Sequence, residues 1–103
     1  MYIKKKDDAE LKQNPFNTDV RILLSENKAE VLHLELEPKK QLSPVEIPND
    51  AFFYIIEGSP EVLINDEKQI IDAEALVFCP GGSKHCINNP SNKTARILVV
   101  KLF

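Results

Sequence analysis

From Asp19 to Phe103 the apolar residues come in short bursts: DVRILL, AEVLHLEL, AFFYIIEG, PEVLIND, KQIID, EALVFCP and TARILVVKLF. Each is rich in Val, Ile, Leu or Phe and is bounded by Pro, Gly, Asn, Asp or other turn residues. Segments of this length and composition between turn signals read as strands. DVRILL can pair with AEVLHLEL through the polar turn Ser25-Glu26-Asn27-Lys28, and PEVLI with KQIID through Asn65-Asp66-Glu67-Lys68. Only the stretch from Asp7 to Gln13 has a helix-like composition, and it is too short to hold a helix without tertiary packing. Many short strands with little helix predict an all-β barrel or sandwich. The glycines agree: Gly58 closes AFFYIIEG and Gly81-Gly82 follow Pro80, so both places read as corners.

Size and charge narrow the functional classes. For 103 residues the expectation is one domain, residues 1–103, with residues 1–18 as an N-terminal arm packing on the barrel or on a partner. A formal net charge of -3 argues against a nucleic-acid surface, which needs a basic face. The start, MYIKKKDDAELK, has no apolar segment after its basic cluster, and no apolar run is long enough to span a bilayer. The expectation is a cytoplasmic protein that does not enter membranes. Cys79 and Cys86 are too few for a disulfide framework and lack the C-x-x-C spacing of zinc or redox sites. Cys79, inside an apolar run, reads as a small buried hydrophobe.

The segment Pro80-Gly81-Gly82-Ser83-Lys84-His85-Cys86-Ile87-Asn88-Asn89 fits P-x-G-x-x-H-x-x-x-N at every fixed position. This resembles the second motif of the cupin superfamily, and the resemblance runs from about Val31 through Phe103. It implies a small antiparallel β-barrel of jelly-roll type, in which the histidine at the His85 position points into the barrel as a metal ligand. The rigid Pro-Gly corner would set where the next strand starts and so aim the imidazole.

The first cupin motif, G-x(5)-H-x-H-x(3,4)-E-x(6)-G, should end at Gly58 of YIIEG. Counting back with the shorter spacing puts Ala51 at the glutamate position, Ile47 and Val45 at the two histidine positions and Lys39 at the opening glycine. The longer spacing puts Glu46 and Pro44 at the histidine positions. One ligand of four survives, and a single neutral imidazole holds no divalent ion usefully. The expectation is therefore no cofactor, a divalent metal at His85 being disfavoured, and no catalytic residue. With inward-facing positions inherited from the family, Val45, Ile47, Ala51 and Phe53 line an apolar interior, with Phe78 as a further wall and His85 as the polar contact at its edge. Such a wall is what a site for a small, mostly apolar molecule looks like. On the last motif strand, His85, Ile87 and Asn89 share a face and Cys86 lies on the other, which disfavours a Cys/His dyad.

Two other readings stay open on the sequence. One is a metal-dependent cupin of oxygenase or isomerase type, with His85 joined by His33 or Glu46. In AEVLHLEL, however, His33 alternates with Leu32, Leu34 and Leu36 and so faces away from whatever the leucines pack against. The other is an interaction module with a filled barrel. Phe52, Tyr54 and Ile56 lie opposite Phe53 and Ile55, and TARILVVKLF is apolar on both faces, so the outer surface has to be covered. A homodimer is the expected cover.

Overall fold

The computed structural model describes residues 1–103 as ten strands and one turn of 3-10 helix, Lys6–Asp8. The strands are β1 (Glu10–Leu11), β2 (Asp19–Ser25), β3 (Ala29–Leu36), β4 (Val45–Glu46), β5 (Ala51–Glu57), β6 (Glu61–Ile64), β7 (Glu67–Ile70), β8 (Leu76–Cys79), β9 (Lys84–Asn88) and β10 (Ala95–Leu102). They form a six-stranded sheet in the order β1-β2-β3-β10-β5-β8 and a four-stranded sheet in the order β4-β9-β6-β7. All the pairings are antiparallel. This is the expected jelly-roll architecture, with the edge strands β7 and β8 not hydrogen-bonded to each other. The β2–β3 and β6–β7 hairpins form where the sequence placed them. The second turn is tighter than expected: β7 already begins at Glu67, and Asn65 takes a left-handed φ of 53° to close it.

Alternation along the strands builds the core. Leu32, Leu34 and Leu36 of β3 face Phe53 and Ile55 of β5, Ile97 and Val99 of β10, and Val62 and Ile87 of the smaller sheet, in one buried cluster. Phe53, Leu36, Ile55 and Ile97 are almost wholly enclosed, and each contributes roughly 1.5–3 kcal/mol by leaving water. β10 lies centrally between β3 and β5, which is why its apolar residues run on both faces: Ala95, Ile97 and Val99 fill the interior while Val100 is buried on the outer side.

Residues 7–13 form no α-helix; a single 3-10 turn leads into the short edge strand β1. The arm packs on its own sheet. The Tyr2 hydroxyl donates to the Leu23 carbonyl at 2.8 Å, Arg21 Nη1 donates to the Ala9 carbonyl at 3.2 Å, and Ala9 is buried. Seven residues offer too few helical hydrogen bonds to outweigh a free sheet edge that supplies them directly.

Candidate functional site

The Pro80-Gly81-Gly82 corner aims β9. Gly82 has a φ of 83°, and its N–H donates to the Ile47 carbonyl at 2.8 Å. Gly81 sits so close to the preceding turn that a Cβ would lie 2.3 Å from the Pro48 carbonyl oxygen, and its N–H donates to Asp50 Oδ1 at 2.8 Å. Glycine is required at both positions, at one for its conformation and at the other for space. At the far end of β9, Asn89 is fully buried. Its amide donates to the carbonyls of Leu36, Glu37 and Lys93, and its oxygen accepts from the backbone and hydroxyl of Ser91. The motif asparagine therefore locks the strand's exit, and the two glycines lock its entry.

Between these anchors, His85 pairs with Val45 of β4 on one side and with Ile64 of β6 on the other. Its ring centroid lies 5.4 Å from that of Phe53. Together with Phe16, Leu42, Val45, Phe53 and Val99 it lines an apolar cavity of about 110 Å³. Its Nδ1 is buried and has no hydrogen-bond partner. Burial first, and then the Lys101 ammonium, hold this imidazole below the ordinary histidine range, so at neutral pH it presents one donor nitrogen and one acceptor.

The residues singled out from the sequence are distributed unevenly around this cavity. Val45 and Phe53 line it, Val45 from the rim, where it stays 42% exposed. Ala51 is buried in the core one inward-facing position along β5 from Phe53, and Ile47 packs partly buried against the same core. Phe78 lies elsewhere. It pairs with Phe52 across β5 and β8, one residue out of step with the inward-facing Phe53 and Val77, and is 52% exposed on the outer surface. By that one-residue parity Phe78 is not a wall of the His85 cavity, but it does line a separate cleft beside β7 and β8. Phe16 and Leu42 were missed because they come from the arm and from the 37–44 connection, where no strand period operates.

The donors for a cupin-type metal are not assembled. Val45, not Glu46, shares a face with His85; Glu46 pairs with Lys84 and is exposed. His33 lies on the outer face of the six-stranded sheet, where its Nε2 accepts a hydrogen bond from Arg96 Nε at 3.3 Å. No group of three or more His, Cys, Asp or Glu side chains is placed to hold a metal ion. The residues present do not fit the ion that the fold family implies. Nor do the cysteines form a nucleophile: Cys86 Sγ donates to the Leu42 carbonyl at 3.1 Å, and burial pushes both free thiols up, away from the reactive thiolate.

A larger cleft of about 610 Å³ opens beside the unjoined edges of β7 and β8, between Val62, Ile64, Gln69, Ile71, Val77 and Ser83. Its polar rim comes from the Asn65-Asp66-Glu67 turn in open solvent. The smaller cavity is lined by His85, whose Nδ1 is one of two buried imidazole nitrogens without a partner, the other being that of His33 on the outer face, and for that reason it is the stronger site.

No helix of the protein is long and apolar enough to cross a membrane. The family model of the cupin domain matches residues 32–101. A polyketide synthase protein of Streptomyces glaucescens, TcmJ, is 33% identical over 67 residues, which is 64% of this chain and 45% of that protein. The chain thus spans less than half the length of that relative. Among solved structures, the polyketide cyclase RemF of Streptomyces resistomycificus superposes with a TM-score of 0.86 at 20% identity, over 99% of this chain and 79% of that one. A predicted oxalate decarboxylase of Thermotoga maritima superposes with a TM-score of 0.87 at 22% identity, over 100% and 99% of the two chains. With its jelly-roll sheets, its glycine corner and His85 at the head of β9, the chain belongs to the cupin family.

Proposed function

We propose that this cupin binds a small, ring-sized, mostly apolar molecule in the barrel without a metal, and that it works as a homodimer. The observation that carries the reading is a buried imidazole, one of its nitrogens without a hydrogen-bond partner, in the wall of a mostly apolar cavity. Leaving a buried polar atom unpaired costs about 1–3 kcal/mol, and a ligand hydroxyl or carbonyl placed there removes that cost. A volume of about 110 Å³ matches one ring rather than an extended molecule. The polyketide names of TcmJ and RemF support an oxygenated ring as the ligand's body, since polyketide chemistry produces such rings.

Phenol and toluene test this directly. Phenol should shift the NMR resonances of Phe53, Val99 and His85 and raise the melting temperature, with toluene binding more weakly. His85→Leu keeps an apolar side chain of similar size and removes the nitrogen, so phenol should lose about tenfold in affinity while toluene is unchanged. Protein purified without chelator should carry well under one transition metal per chain. Phenol and toluene that leave the cavity resonances unmoved, or one tightly bound metal per chain, would overturn the reading.

A further inference from the structure

Along β10 the inward-facing residues run Ala95, Ile97, Val99 and then Lys101, so an apolar strand ends its interior face on an ammonium group. Lys101 pairs with Ala51 of β5 on one side and with Glu30 of β3 on the other. Val99 and Phe53, which line the His85 cavity, are the next inward-facing residues on β10 and β5. Two residues along a strand are about 7 Å. Lys101 therefore sits one inward-facing position beyond the cavity wall on β10; it is not itself a lining residue, and its ammonium turns to Glu30.

The charges there do not cancel. Lys12 Nζ lies 2.8 Å from Glu30 Oε1 and Lys101 Nζ lies 3.5 Å from the same oxygen. Two ammonium groups share one carboxylate oxygen. All three side chains are half-buried or more, with Glu30 only 15% exposed. Burial acts to raise Glu30, but the two lysines outweigh it and hold the carboxylate ionised; burial and then the Lys12 charge hold Lys101 below the ordinary lysine range. One positive charge is left over, in a place where water screens it poorly.

We infer that the ligand carries an acidic group: the His85 cavity takes a small aromatic or branched carboxylate, its apolar body against Phe53 and Val99 and its carboxylate against Lys101 and Lys12. The inference rests on the cavity reading above and names the chemistry of the molecule bound there. The apolar wall selects the body, His85 meets a neutral oxygen, and the uncompensated ammonium selects the charge. Glu30 pre-positions both lysines and competes with the ligand for them.

Benzoate and benzamide are similar in shape and differ in charge, so titrating the whole chain with each at pH 7 and low salt, followed by NMR at Phe53 and Val99, isolates the charge. Benzoate should bind about fivefold to tenfold more tightly. Lys101→Met should erase that preference while leaving benzamide unchanged, and Glu30→Gln, which frees both lysines, should enlarge it. A merely structural role for the cluster would not strengthen binding in Glu30→Gln. Equal binding of the two probes by the wild type overturns the inference while leaving the cavity in place, and that comparison decides even if a variant misfolds. A preference that survives both Lys101→Met and Lys12→Met overturns it as well. If phenol, benzamide and benzoate all leave the cavity resonances unmoved, the cavity reading fails and this one fails with it.

Discussion

Lys39 adopts a φ of 66°, in the left-handed region, at the position where the first cupin motif has its opening glycine. The backbone has kept the turn although the residue that suits it is gone. A Cβ in this conformation costs on the order of 1–2 kcal/mol. The lysine recovers part of it by donating its Nζ to the Pro90 carbonyl at 2.7 Å, an exposed contact. Lys39→Gly should therefore raise stability by about 0.5–1 kcal/mol, read as a higher midpoint in urea with an unchanged slope. A lower midpoint would show that the Lys39–Pro90 contact outweighs the strain. The local spacing made this position visible as the opening-glycine site, but its φ is set by the strands on either side.

At the scale of elements, burial of the two histidines is the work of whatever covers the strands that bear them. His33 is 3% exposed on the outer face of β3. Arg96 holds its Nε2 there, and the arm packs against the neighbouring β2 through the Arg21–Ala9 bond. His85 is covered by the barrel itself. Burial holds both imidazoles below the ordinary value of 6.5. The unfolded chain then binds more protons than the folded one between the folded and unfolded values, so stability is fully present above about pH 7 and falls as pH drops through 6.5. Glu30, depressed in the fold, adds a further loss below its unfolded value of 4.5. A series of thermal melts from pH 7.5 to 5.0 should show a steady fall, and His85→Leu should flatten part of it; a flat profile in the wild type would contradict neutral burial of both rings. Alternation with the leucines of β3 placed His33 outward correctly. It carried no information that the outer face there would be closed, since that depends on an arm more than 20 residues away in the chain.

For the whole molecule, the outer surface of β5 and β8 carries a cluster of exposed apolar side chains. Tyr54, Ile56, Leu76 and Phe78 are exposed together, with Leu76 at 58%, and β8 is an unpaired edge. Soluble proteins rarely leave such a patch open, and a two-fold axis beside β8 would place each copy's patch on the other's. Sedimentation equilibrium should give a dimer at micromolar concentration, and Leu76→Lys with Phe78→Lys should give a folded monomer with the same urea slope per chain. A monomeric wild type would sink the idea.

What the order of residues settled alone is most of the strands, the two hairpins and the glycine corner, because each follows from periods and turn signals acting within a dozen residues; the short strands β1 and β4 were not legible, and the cupin architecture followed from the motif resemblance. The shorter of the two possible motif spacings places Val45, Ile47 and Ala51 at the ligand positions, and the register of β4 on β9 puts Val45, not Glu46, on the face of His85. The alternation Ile97-Val99-Lys101 was equally visible in TARILVVKLF. That the lysine faces Glu30, and that Lys12 of the arm reaches the same oxygen, required strands from three parts of the chain to meet. Local spacing dictates which side of a strand a residue occupies, but the charge and shape of a cavity are sums over elements brought together only by folding.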